Sequence, residues 1–492
     1  MLLLGIDLGT SSVKVSVVES ELQKTIVSVS YPETESPIIS RKKGWAEQSP
    51  DQWWSDACQA IIKANAAGKY DPKDIEAIGI AYQMHGLVVV DKHQNILRDS
   101  IIWCDSRAVE IGEQAFREIG EQQCQSCMLN SPGNFTASKL AWVKQNEPGT
   151  YEKIDKLMLP GDFIAMKLTG EITTTSSALS EGVLWDFKKD QLSRAVMDHF
   201  GFDNAFIPCL RPLFSEHGKL IKQIAAELGL KEGISISYKA GDQLNNALSL
   251  KAFKPGEVAA TAGTSGVIYA VTDHLFKDAF SRVNSFVHVN HTNENKRLGV
   301  LLCINGVGIM NRWIRQLCGD KLSYDQMNKD AGTVRPGSEG LVLLPFGNGA
   351  ERMLQNKIIN AHIHNIDLNL HSVAHVARAV QEGIAFAFRY GLDIMRENGL
   401  YPAIIRAGRA NMFLSNVFVR SFVNATGVPV ELYDNDGSVG AALGAGIGAG
   451  IYKTNEEAFS HFKPVEKVEA TDTELYNQLY ESWKYQLNKQ LK

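Results

Sequence analysis

The second half of the chain repeats the opening of the first. Residues 5–18 read GIDLGTSSVKVSVV and residues 259–272 read AATAGTSGVIYAVT, so Gly9-Thr10-Ser11 returns as Gly263-Thr264-Ser265, 254 positions on (263 − 9) in a chain of 492. In each copy an extended run enters the Gly-Thr-Ser turn. It leaves through β-branched or aromatic residues at every second position (Val13, Val15, Val17; Val267, Tyr269, Val271), the pattern of a β-hairpin. A repeat offset by about half the chain predicts two related lobes, each opening on such a hairpin.

Between and after the hairpins, strand-like and helix-like segments alternate, which predicts an α/β fold. Residues 75–81 and 234–238 read as strands, and 371–398 as a long helix with Ser372 as N-cap and Gly399 just past its end. Gly383, Ala387 and Gly391 recur every four residues and give that helix one smooth face for close packing. Residues 403–407, 415–426 and 428–432 then repeat strand, helix, strand. The boundary is expected within 243–256, where Lys254-Pro255-Gly256 precedes the second hairpin; this divides the chain into lobes 1–245 and 246–492. Neither GxxxxGK[ST] nor a suitable GxGxxG unit is present. The glycine cluster at 444–448, in an apolar small-residue stretch, reads as close helix packing.

Composition removes several classes of function. Hydrophobic residues are 44% and charged residues 21%, and 50 Lys plus Arg against 55 Asp plus Glu leave a formal charge of −5, ordinary for a globular protein. No excess of positive charge is available for a nucleic acid or an anionic membrane surface. Seven scattered cysteines fit a reducing, cytoplasmic setting better than a disulfide framework. Cys124 and Cys127 have redox or zinc spacing, but no second pair completes a four-ligand site. The N-terminus lacks a basic segment and meets Asp7 before an apolar core develops, so no signal peptide is expected. The small-apolar stretch 439–451 is short of the ~20 residues that span a bilayer.

A Gly-Thr-Ser turn between strands exposes backbone N–H groups beside hydroxyls, a donor cluster suited to phosphate oxygens, although the same residues are common in turns that bind nothing. Two such turns could clamp one polyphosphate. Asp7 stands two residues before Gly9, where the second copy has Thr261; one carboxylate beside phosphates suits Mg²⁺. Asp242, in Gly241-Asp242-Gln243 after a strand, fits two roles: an N-cap of the following helix, or a general base that takes a proton from an acceptor hydroxyl during phosphoryl transfer. Gln83-Met84-His85-Gly86, Trp103-Cys104-Asp105-Ser106-Arg107 and Gly44-Trp45-Ala46-Glu47-Gln48 together supply the hydrogen bonds and apolar walls that a small polyol needs. Singly, each also fits a structural histidine, a core tryptophan and an ion pair.

These segments, with Asn134-Phe135-Thr136-Ala137-Ser138-Lys139, Gly263-Thr264-Ser265-Gly266 and the run RAVQEGIAF at 378–386, resemble the FGGY carbohydrate kinases, and within them the branch that phosphorylates xylulose. The resemblance runs from residue 5 to about 450. It implies a two-lobed, actin-like ATPase fold related to ribonuclease H, with a sugar and ATP in the cleft and Mg²⁺ as cofactor. By position it implies Asp242 as general base and Asp7 as the metal-linked carboxylate. Gln83, Met84, His85, Asp105, Asn134, Asp242 and Gln243 would line the sugar site. Thr10, Ser11, Gly263, Thr264 and Ser265 would lie along the phosphates, and Gly408, Asn411 and Ser415 would meet the nucleotide. The adenine loop departs from the family's glycine-rich form: residues 405–415 read IRAGRANMFLS, with Gly408 alone. Kinases of L-fuculose, L-ribulose or glycerol stay open within the family. Outside it, an actin- or chaperone-like ATPase switch and a catalytically silent sugar-binding regulator stay open. A homodimer is the expected assembly at most.

Overall fold

The computed structural model describes residues 1–318, 322–434 and 436–492. Among these residues the chain builds two large sheets. The first contains β1 (Leu2–Leu8), β2 (Val13–Glu19), β3 (Lys24–Tyr31), β4 (Ile75–Tyr82) and β5 (Ser235–Gly241) in the order β5-β4-β1-β2-β3. The second contains β6 (Glu257–Ala262), β7 (Gly266–Thr272), β8 (Asn284–Val287), β9 (Leu298–Ile304), β10 (Ile404–Gly408), β11 (Val430–Tyr433) and β12 (Glu466–Val468) in the order β8-β9-β7-β6-β10-β11-β12.

The repeat read from the sequence is a repeat of topology. In the first sheet β1 pairs antiparallel with β2 and parallel with β4. In the second, β6 pairs antiparallel with β7 and parallel with β10. Each sheet therefore has its opening hairpin at the centre, with the parallel strands on one side and the rest of the meander on the other. The central strands are apolar on both faces because both faces are covered: Leu3, Leu4, Ile6 and Leu8 are fully buried, as are Val258 and Ala270.

The long helix of the second lobe spans Val373–Glu397. The Ser372 N–H donates to His375 Nδ1 at 3.2 Å, and Gly399 has φ +85°, so both expected ends are where the sequence put them. Its smooth face is real: a Cβ on Gly383 would stand 2.2 Å from the Leu343 carbonyl oxygen, and one on Gly391 2.8 Å from Leu302 Cδ2.

The glycine cluster forms the helix Gly437–Gly448. Although it follows β11 in the second half, it packs across β1, β2, β4 and β5 of the first sheet and against the helix Asp242–Ser249. A Cβ on Gly5 would lie 1.8 Å from the Ser438 carbonyl oxygen, and one on Gly79 2.0 Å from that of Ala441. Glycine in sheet and helix alike lets two backbones touch. The chain thus crosses from lobe to lobe three times: after the helix Asp242–Ser249, into the helix Gly437–Gly448, and back to β12 of the second sheet.

Candidate active site

Asp7 is near the end of β1, and Gly9-Thr10-Ser11 forms the turn into β2. Gly437 opens the helix behind it; a Cβ there would sit 2.2 Å from Asp7 Oδ2. Burial, with the negative charges of Asp242 and Asp436, pushes the Asp7 carboxyl up to about 7, and Lys14 offsets only part of this. Lys14 is itself ion-paired with Asp436. Three carboxylates against one lysine leave surplus negative charge that a divalent cation would relieve.

The first turn is held by side chains. Gln48 Nε2 donates to the Thr10 carbonyl oxygen at 2.7 Å, and Gln48 Oε1 accepts from Gln83 Nε2 at 2.9 Å and Trp53 Nε1 at 3.1 Å. The Thr10 hydroxyl donates to Gln83 Oε1 at 3.2 Å and accepts from Trp103 Nε1 at 2.9 Å. Gln83, 2% exposed, therefore has both ends of its amide committed to bracing the turn. This differs from the expected sugar contact, because the strand β4 that delivers Gln83 runs beside β1.

His85 has φ +62°, a left-handed conformation uncommon for a residue with a side chain. Two contacts hold it. Lys139 Nζ donates to its carbonyl oxygen at 2.7 Å, and its ring Nδ1 lies 3.0 Å from the carbonyl oxygen of Glu181. That contact requires the proton on Nδ1 and leaves Nε2 as an acceptor. Burial first, then Lys139, lowers the His85 pKa to about 3, so the ring is neutral at physiological pH. Phe135 meets it edge-on at 4.8 Å and Phe286 of the second sheet lies 5.5 Å away. Burial also lowers Lys139 to about 7.

Asp105 is fully buried. Its carboxylate accepts from the Ala46 N–H at 2.6 Å and from Arg107 Nη2 at 2.6 Å and Nε at 2.9 Å. Arg107 continues to Glu47 at 2.8 Å and stacks 3.8 Å above the Trp45 ring. The Trp-Cys-Asp-Ser-Arg and Gly-Trp-Ala-Glu-Gln segments thus lock to each other, and Asp105 keeps the platform rigid instead of presenting its carboxylate to the cleft.

Asp242 opens the helix Asp242–Ser249 directly after β5. Gly241 occupies the N-cap position, with no side-chain cap bond, so the capping role does not account for Asp242. Burial pushes its carboxyl up to about 6, against hydrogen bonds from the backbone and side chain of Gln243. Gly241 allows a close approach: a Cβ there would stand 2.6 Å from Glu181 Oε1 and 2.7 Å from Met84 Cγ. Glu181 is fully buried, and burial together with Asp242 raises its pKa well above the ordinary range. Glu181 Oε2, Gln243 Oε1 and Asn134 Oδ1 are buried polar atoms with no hydrogen-bond partner. Such atoms need an explanation: Glu181 lies beside Gly241, and Gln243 and Asn134 belong to segments expected to hold a polyol.

The second turn is fastened by backbone. The N–H groups of Gly308 and Ile309 donate to the carbonyl oxygens of Gly263 at 2.8 Å and Thr264 at 3.1 Å. A Cβ on Gly308 would lie 2.3 Å from the Gly263 oxygen. Beside this turn opens a cavity of about 600 Å³ lined by Gly263, Thr264, Asn311, Tyr324, Asn328, Asn411 and Ser415, among others. Ser265 instead hydrogen-bonds Cys303. The Ser415 hydroxyl donates to Gln381 at 2.6 Å and caps the helix Asn416–Thr426, so it meets the cavity without a free hydroxyl. Gly408 ends β10 and is not part of the lining.

Of the residues expected at the site, Met84 lies beside Gly241, next to Asp242 and Gln243, Asp7 feels the charge of Asp242, and Gly263, Thr264 and Asn411 line the cavity beside the second turn. Gln83, Asp105, Ser265 and Ser415 are committed to neighbours. Sequence reasoning passed over Glu181 and Asp436, and named Gln48 and Lys139 only within longer segments, with no role of their own. Lys139 had the one legible cue, a lysine in the apolar helix Thr136–Asn146.

Profiles of the FGGY family of carbohydrate kinases match the chain twice, the N-terminal domain over residues 2–249 and the C-terminal domain over 258–450. The chain belongs to this family. Relatives named xylulose kinase include that of Haemophilus influenzae, 29% identical over 82% of this chain and 81% of its own length. That of Escherichia coli is 28% identical over 94% and 92%. Among solved structures, a ligand-bound xylulose kinase from Lactobacillus acidophilus has a TM-score of 0.90 at 21% identity, covering 99% of this chain and 98% of that one. Plasmodium falciparum glycerol kinase with ADP scores 0.91 at 18% identity over 100% and 98%. The two lobes are those of the actin-like ATPase fold that FGGY kinases share, and the protein is a carbohydrate kinase, a phosphotransferase.

Proposed function

We propose that this kinase transfers the γ-phosphoryl group of ATP to a ketopentose, converting D-xylulose to D-xylulose 5-phosphate, with Asp242 as general base. The observation that carries the reading is Asp242 itself: a carboxylate just past the end of the parallel edge strand β5, pushed up to about 6 by burial, ionised at neutral pH yet basic enough to accept a proton. Neutral His85 and the unpartnered oxygens of Asn134 and Gln243 accept from sugar hydroxyls. The terminal hydroxyl gives its proton to Asp242 as its oxygen bonds to the γ-phosphorus in line with the departing ADP oxygen. Thr10, Ser11, Gly263 and Thr264 donate to the phosphates. Asp7, with the charges of Asp242 and Asp436 beside it, would hold Mg²⁺, and the cation would supply neutralisation of phosphate charge.

In this reading the 1–245 lobe selects the sugar and the 246–492 lobe the nucleotide. The enzyme is cytoplasmic, and assembly as a homodimer belongs to the proposal, checked by light scattering. The relatives' names favour xylulose over L-ribulose, L-fuculose or glycerol. The test is ADP release by the purified protein with ATP and Mg²⁺ against a panel of these acceptors, with the product position read by NMR. Turnover with D-xylulose and phosphate on C5 is expected; ADP release that no acceptor stimulates would overturn it.

A further inference from the structure

Arg352 stands in the short turn Arg352–Leu354 of the second lobe, yet its guanidinium lies against the first. It sits 5.7 Å over the ring of Phe135, whose edge contact with His85 is at 4.8 Å. Its Nη2 is 3.4 Å from where a Cβ of Gly133 would stand. Nη1 donates to Asn284 Oδ1 at 2.6 Å; among the described residues no carboxylate pairs with this cation and no acceptor takes its other N–H groups. Burial disfavours the charge, yet the residue is only partly buried, so its remaining N–H groups stay open to a ligand oxygen.

The surroundings define what fills them. His85 Nε2 and Asp242 accept hydrogen bonds, and the unpartnered atoms of Asn134 and Gln243 are oxygens. Arg352 only donates. A ketose has hydroxyl hydrogens for the first set and carbonyl or hydroxyl lone pairs for the second. Arg352 is also wired to the nucleotide side: the carboxylate of the preceding Glu351 takes the Asn305 N–H at 3.0 Å, just past β9, whose Cys303 hydrogen-bonds Ser265 of the second turn.

Resting on the kinase reading above, we propose that Arg352 is the second lobe's own sugar ligand, donating to an oxygen of the bound ketose. Acceptor recognition then spans both lobes. The test is steady-state kinetics with D-xylulose and ATP for wild type, Arg352→Ala, Arg352→Met and Arg352→Lys, with sugar-free ATP hydrolysis and thermal melts alongside. Loss of a charge-assisted hydrogen bond raises the D-xylulose KM about 10- to 150-fold, with ATP KM and sugar-free hydrolysis nearly unchanged and Arg352→Lys partly restored. Arg352→Met keeps the stem over Phe135 and carries the same test should the alanine variant not fold. An unchanged sugar KM, or equal rises in both KM values, in a wild-type-active enzyme overturns this inference alone. No turnover of any sugar by the wild type overturns the kinase reading and this inference with it.

Discussion

The two hairpins share a topology and a tripeptide but are secured in opposite ways. The first turn is braced by the side chains of Gln48, Gln83 and Trp103. The second is tied by backbone bonds to Gly308 and Ile309 and opens onto the cavity. The first strand ends near Asp7, whereas the second has Thr261 at that place. The two copies therefore share a frame and diverge in what surrounds it: buried carboxylates beside the first turn, an open cavity beside the second.

The sharpest break between the lobes is Asp242: the equivalent strand β11 also leads into a helix, but there Asp436 is the N-cap, whereas Asp242 caps nothing. Asp242→Asn removes the proton acceptor at nearly constant size, and kcat is expected to fall about 10²–10⁴-fold with sugar KM changed far less; retention of more than about a tenth of kcat excludes the base role. Next is the exchange of Asp7 for Thr261 between the copies. Asp7→Asn should lower kcat/KM for ATP about 10–100-fold while sugar binding without nucleotide, read by calorimetry, stays intact, and Thr261→Val should change little. Equal damage from both variants would make the two turns chemically equivalent.

Smaller is the effect of the brace. Gln83→Leu loses one hydrogen bond to Thr10 of the first turn and one to Gln48, which also holds that turn, and should raise ATP KM about 3- to 10-fold with sugar KM nearly constant; a sugar-only effect would return Gln83 to the sugar pocket. The mildest test is pH. Asp242 and Asp7 are raised to about 6 and about 7, and both must be ionised to act. Activity of the free enzyme therefore rises with pH and is lost as pH falls through 7 to 6, as one coupled limb. His85, lowered to about 3, adds no change there. A flat profile from 5 to 8 would contradict these assignments.

The frame was legible because backbone pattern repeats in sequence: the hairpins, the long helix with Ser372 and Gly399 at its ends, and the glycine cluster all form as their spacing implies. The commitments of individual polar side chains were not. Gln83, Asp105 and Ser415 have the composition of ligands, but β4 carries Gln83 to the first turn, Arg107 occupies Asp105, and Gln381, 34 residues away, takes Ser415. Glu181 sits in a run of Ser and Thr that reads as surface until β5 places Gly241 beside it. A hydrogen-bond partner is a tertiary fact, and residue type alone does not name it.

On the proposed reading both lobes grip one nucleotide and an open cleft would let water take the phosphoryl group, so sugar and nucleotide should favour the same closed state. Calorimetric titration of a non-hydrolysable ATP analogue with Mg²⁺, with and without saturating D-xylulose, measures this directly. The account predicts that sugar tightens the analogue by about 5- to 150-fold, and that the analogue tightens sugar by the same factor. Identical analogue affinities in the presence and absence of sugar would contradict it.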